Sequence, residues 1–175
     1  MEIRENKISG YLILIGVSQF FLCMLIAEAI YPNYSIKSNY ISDLGIGKTA
    51  IIFNTSIILM GVLIIIASIT LRKLISILFF MTGLGSMLVG IFPETTGLIH
   101  LIAALIAFLF GGIGAVVTSI TNKIYFWTIL GFITLLCLIL YLLKYYGQLG
   151  AGGMERLIVY PELIWGISFA TYLIK

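Results

Sequence analysis

Apolar runs follow one another along this chain, separated only by short polar connections. Each is about 20 residues long, the length that spans a hydrocarbon core of ~30 Å. They cover roughly residues 8–30, 50–71, 74–92, 95–120, 124–143 and 154–174. A chain of this kind has few ways to satisfy its backbone in lipid, and helices satisfy it within each segment. Only 10% of the 175 residues are charged, whereas a soluble domain carries about 25%. The mean hydropathy is +1.17. The expected fold is therefore all-α: a polytopic integral membrane protein built as a six-transmembrane-helix bundle, one domain over 1–175. Its first partner is the lipid bilayer.

Local signals place the ends of the spans. Tyr31-Pro32-Asn33 closes the first, because proline cannot continue the backbone bonding. Arg72-Lys73 stops the second and Pro93 ends the third. Thr95 or Thr96 is placed to cap the fourth. Gly147–Gly153 reads as a flexible last loop, with the sixth helix beginning near Met154 and bending at Pro161. The polar start, the apolar run and Ala27-Glu28-Ala29 have the form of a signal peptide. The run from Ile8 to Ile30 exceeds the usual ~7–15 residues of such a core, so a retained first span is expected. The small pairs Ser86/Gly90 and Gly111/Ala115 suit close helix approach. Cys23 and Cys137 lie within apolar runs and read as packing residues.

The net charge of +3 is spread thinly, without a basic run, which argues against a nucleic-acid partner. With the N-terminus inside, Arg4, Lys7, Arg72, Lys73, Lys123 and Lys175 fall on the inner side. Lys37, Lys48, Lys144 and Arg156 fall outside, so the bias of basic residues favours cytoplasmic termini in a multi-pass cell-membrane protein. Apart from Glu2 and Glu5, the acids lie toward the outer side: Glu28, Asp43, Glu94, Glu155 and Glu162. The two membrane faces thus have different chemistry.

Ionisable groups at membrane depth are costly and mark candidate sites. Gly90–His100 carries Glu94 and the single histidine of the chain in the turn between two apolar runs. His100 sits near a helix start, where the dipole favours neutral imidazole, able to serve as base, ligand or hydrogen-bond bridge. His100, Glu94 and Asp43 are the candidate catalytic residues. Glu155 and Glu162 are seven apart and share a helix face. Arg156 suits a carboxylate or a phosphate. It is expected either to hold an anionic ligand or to pair with Asp43, Glu28 or Glu94 and lock the helix ends. One histidine and no suitable cysteine disfavour zinc. A carboxylate site for Mg²⁺ or Ca²⁺ from Asp43, Glu94 and Glu155 stays open, as does a weak Ser42–His100–Asp43 arrangement. No cofactor is specified.

Tyr40-Ile-Ser-Asp-Leu-Gly45, Asn54 opening the second span, Gly90-Ile-Phe-Pro-Glu94 with His100, and Gly-Gly-Met-Glu-Arg156 before Pro161 and Trp165 form one pattern. It resembles the six-span membrane proteins grouped as domain of unknown function nine-nine-eight, and covers nearly the whole chain. The resemblance implies a compact six-helix bundle with its polar motifs on one side and no established activity. Ser42, Tyr40 and Asn54 join Arg156, Glu155, Glu162 and Glu28 as candidate binding residues. A partial likeness to membrane hydrolases of the ceramidase and progestin-receptor type stops at Ser42, Asp43 and His100. Those enzymes carry three histidines for zinc, so a zinc amidase is rejected.

Three functions remain in view. The leading one is binding or modification of a lipid or isoprenoid headgroup at the outer leaflet, with Arg156 on an anionic group and His100 or Glu94 as acid or base. A structural subunit, assembled with a membrane-protein partner, would use the same polar residues only to fix helix ends. A transporter of a small solute, ion or proton would need a path across the bundle, and the polar residues gather at one end.

Overall fold

A computed structural model describes residues 2–71 and 73–175, with the side chains of 2–6 and Lys73 left aside. Arg72, expected to stop the second span, lies outside the described residues. The described residues form six α-helices: α1 (Glu2–Ile30), α2 (Ala50–Ser68), α3 (Lys73–Ile91), α4 (Leu98–Asn122), α5 (Phe126–Leu142) and α6 (Gly150–Ile174). Five are long and apolar enough to cross a membrane. α5 has 17 residues, at the lower limit of about 17–25 for a span. No strand occurs among the described residues.

Successive helices pack side by side and α6 returns to α1, closing the ring. The start of α1 meets the end of α6, where a Cβ on Gly10 would lie 2.9 Å from the Ala170 carbonyl oxygen. Both chain ends therefore share one end of the bundle. Ser9 on α1 donates to the Ala67 carbonyl on α2 at 2.8 Å there. The opposite end, called the loop end below, gathers the 31–49, 92–97 and 143–149 connections.

Apolar side chains face both ways. Ile13, Val17, Phe20, Phe53, Met60, Phe79, Trp165 and Phe169 fill the interior. Ile15, Leu22, Ile51, Ile77, Phe132 and Ile139 stand exposed on the outside, as expected for helices that meet lipid rather than water. With lipid no worse a neighbour than leucine, helix contact rests on close packing. Gly61 on α2 and Gly83 on α3 lie face to face. A Cβ on Gly61 would sit 2.5 Å from the Gly83 carbonyl oxygen, and one on Gly83 would sit 2.8 Å from the Gly61 oxygen.

Two helix starts differ from expectation. α4 begins after Gly97, whose φ of 63° opens the turn, while residues 94–96 form a single 3-10 turn. Thr96 donates to the Pro93 carbonyl at 2.8 Å and caps nothing on α4. α6 begins at Gly150 instead of Met154 and continues through Pro161. Its glycines form a seat and not a free loop. Gly152 donates to the Lys37 carbonyl at 3.2 Å, and a Cβ on Gly152 would fall 2.1 Å from the Asn39 carbonyl oxygen. Residues 36–39 can lie across the start of α6 because nothing projects from it.

Candidate functional site

The loop end holds two polar clusters, joined through Asn39 of the 31–49 connection. The first is built on Arg156, which is only 4% exposed. Its Nη2 donates to Glu28 Oε1 on α1 at 2.7 Å and also meets the Tyr34 hydroxyl. Nη1 donates to the carbonyls of Ile36 (3.2 Å), Asn39 (3.0 Å) and Gly152 (2.8 Å). Tyr34 donates in turn to Glu28 Oε1 at 3.2 Å. Burial, the largest influence, raises the Tyr34 hydroxyl far above the ordinary tyrosine value, outweighing the lowering pull of Arg156, so Tyr34 remains a donor. Of the three pairings open to Arg156 in the sequence, the fold selects Glu28. The clamp ties α1, the 31–49 connection and α6 into one unit, and Arg156 lines none of the cavities described below.

The second cluster is built on the 3-10 turn Ser42–Gly45. Asp43 organises it: its Oδ2 accepts from the Asn39 amide at 2.9 Å and the Tyr40 backbone N–H at 3.0 Å. Asn54 on α2 donates to the Gly45 carbonyl at 3.0 Å and fastens the turn to the bundle. Glu155, 6% exposed, accepts the Ile41 backbone N–H from α6. Ser42 donates to Glu94 Oε2 at 3.1 Å. His100 Nδ1 lies 2.8 Å from the Phe92 carbonyl. A carbonyl only accepts, so Nδ1 carries the hydrogen, and Nε2 is the acceptor of the neutral ring.

Ser42, Glu94, His100 and Glu155 form the polar wall of a pocket of about 260 Å³. Tyr141 adds a fifth polar group, and Leu101, Ala104, Leu105, Phe108 and Leu138 form an apolar wall from α4 and α5. No cation lines this pocket. Tyr40 stacks edge-on against Tyr141 at 6.0 Å behind it. Burial, then the neighbouring Tyr146, raises the Tyr40 hydroxyl above its ordinary value. Glu28, Asp43, Tyr40, Asn54 and Arg156 stand outside the pocket lining, and Glu162 lies deeper in the bundle. Among the described residues no three His, Cys, Asp or Glu side chains converge on a possible metal position. The cation cage conceivable from Asp43, Glu94 and Glu155 is not assembled.

Nothing in the sequence singles out Tyr34, Asn39 or Tyr141 as a site residue. Tyr34 and Tyr141 sit beside the span ends, where an apolar ring with a polar tip is favoured. That signal marks an interface but names no partner.

Burial first, then the Asp43 charge, raises the Glu94 carboxyl above the ordinary 4.5, while the bond from Ser42 pulls the other way. A raised folded-state pKa favours the protonated form. Its stabilising contribution is complete below 4.5 and is lost as pH rises through the folded-state value. Glu94→Gln keeps an acceptor for Ser42 without the charge. Its melting temperature in detergent is expected to match wild type in acid and to exceed it at neutral pH. A variant that melts lower at neutral pH would show that the ionised carboxylate stabilises the fold.

A family model described as protein of unknown function (DUF998) matches residues 14–172. No curated protein and no solved structure matches the chain.

Proposed function

Because the chain belongs to the DUF998 family, whose description assigns no activity, we propose its function from the pocket: it binds the polar head of an amphiphilic lipid. The observation that carries this reading is a 260 Å³ pocket with one acceptor-rich wall, one apolar wall and no cation. A hydroxyl or ammonium group donates to Glu94, Glu155 or His100 Nε2, and the hydrocarbon lies along Leu105, Phe108 and Leu138. An anionic head finds no counter-charge there, since the Arg156 guanidinium is enclosed by Glu28, Tyr34 and three carbonyls. His100 Nε2 is the group placed to take a proton from a bound hydroxyl, which is what modification of the head would require. The charge bias puts this end on the outer side of the cell membrane, with both termini cytoplasmic.

A structural role for the Arg156 cluster is a second reading, favoured by the partners that both Nη1 and Nη2 find within the protein. It describes the clamp and leaves the pocket unaccounted for.

Native mass spectrometry of delipidated protein tests the binding, with a long-chain amine, a long-chain alcohol and a long-chain phosphate added at equal concentration. The amine and alcohol are expected to give adducts that Leu105→Trp and His100→Ala reduce tenfold or more. Equal occupancy by the phosphate, or adducts indifferent to Leu105→Trp, would overturn the reading.

A further inference from the structure

The interior of the bundle continues the polar pocket downward. A second cavity of about 60 Å³ shares Ser42, His100, Ala104 and Glu155 with the outer pocket and reaches Ser86 and Glu162. A third, of about 40 Å³, shares Ser86 and Glu162 with the second and ends at Phe79 and Trp165. A water needs about 10–15 Å³ by the same measure, and two to four polar partners. Ser42, His100, Glu155, Ser86 and Glu162 supply such partners along this line.

Glu162 is the unexplained member. It lies twelve residues past Gly150 in a 25-residue helix, about 18 Å from the helix start at 1.5 Å per residue, so it sits at mid-span. Its Oε1 is buried with no hydrogen-bond partner. The carboxyl is seated against α4, where a Cβ on Gly111 would lie 2.6 Å from its Cδ. Gly111 therefore makes room for an acid and does not bring two backbones together. The ion pair found among the described residues is that of Arg156 with Glu28, and no cation lines the cavities that Glu162 reaches. The Gly112 backbone N–H faces the carboxyl, but an ionised carboxylate without a counter-charge is very costly in such surroundings.

We propose that Glu162 is a proton-binding site at the centre of the membrane, reached by water from the loop-end pocket and closed toward the other end by aromatic rings. A hydronium ion at the pocket mouth gives up a proton that forms the O–H bond on the Glu162 carboxylate and leaves a neutral water. Release returns the proton to water by the same route, so nothing else is consumed. The ionisable groups on the connecting cavity are Glu155 and His100. α1, α2 and α3 present Phe20, Met60 and Ser86 to it, with no titratable side chain. Below Glu162, Phe79 packs 5.1 Å from Trp165 and 5.0 Å from Phe169. Phe169 is also a wall of the pocket at the opposite end, with Thr121, Asn122 and Tyr172. That ring cluster is the stopper between the two ends.

The site does not depend on what occupies the outer pocket. Infrared spectroscopy of the protein in membranes tests it through the carbonyl stretch of a protonated carboxyl group and its shift on exchange into D₂O. Wild type is expected to show this band at neutral pH, and Glu162→Gln to lose it. Glu162→Asp, which keeps the acid should the amide variant not fold, is expected to move the band. Ala104→Phe, which fills the passage without touching Glu162, is expected to keep the band and slow its deuterium shift tenfold or more. A band unchanged in both Glu162 variants, or exchange as fast in Ala104→Phe as in wild type, would overturn the proposal.

Discussion

Arg156→Ala is expected to lower the stability of the bundle by about 3–5 kcal/mol, the usual effect of removing one partner from a buried ion pair. The loss has three physical parts. Glu28 is left as an uncompensated charge at the end of α1. Tyr34 loses its contact with the guanidinium. The carbonyls of Ile36 and Asn39 lose the donor that holds residues 36–39 against α6. Lys37→Ala, on an exposed side chain of the same connection, is expected to change stability by no more than about 0.5 kcal/mol. Thermal unfolding of both variants in one detergent provides the comparison. Equal melting temperatures would mean that the clamp is not what holds the loop end together.

Gly61→Val is the second large effect. The new Cβ would fall 2.5 Å from the Gly83 oxygen and 2.6 Å from the Met87 backbone nitrogen, and both are main-chain atoms. No rotamer relieves that contact, so α2 and α3 must separate. Overpacking of this kind costs about 1–3 kcal/mol and occasionally more, and here it disrupts contacts along two whole helices. Leu22→Val, on an exposed side chain of α1, is the matched control, with an effect expected within about 0.5 kcal/mol. If purified Gly61→Val melts with the control, the glycine contact does not hold the helices.

The helices could be read from the sequence because run length and hydropathy determine what a chain does in lipid, independently of partners. Their ends were less legible. Thr95 and Thr96 carry the right hydroxyls for a cap, but Gly97 can take a positive φ and starts α4 instead. The Gly147–Gly153 stretch has the composition of a flexible connection, yet Gly150 and Gly152 are bare because a chain segment passes over them. That need comes from residues 36–39, more than a hundred positions away, and no local pattern records it.

The candidate site shows the same division. The residue types were legible, since ionisable groups are rare in such a chain. So was the shared end for most of them, but Glu162, expected toward the outer side, sits at the middle of α6. The allocation of these groups between two clusters was not legible. Glu155 and Arg156 are adjacent in sequence but point from α6 to different neighbours, one to the Ile41 N–H beside the pocket and the other to Glu28. Gly111 and Ala115 read as one small-residue pair. In the fold Gly111 receives Glu162, while Ala115 approaches Gly131 on α5.

The Glu28–Arg156 pairing also has a consequence for biogenesis. The two residues are 128 positions apart, and a chain is made and inserted from its N-terminal end. Glu28 therefore reaches the bilayer well before its counter-ion exists. Until α6 is delivered, the nascent protein holds five hydrophobic segments, an orphan acid and a connection with nothing to rest on. Arrival of α6 neutralises that acid, seats residues 36–39 and brings Glu155 to Ile41 in one step, so the pocket comes into being only once α6 is in place.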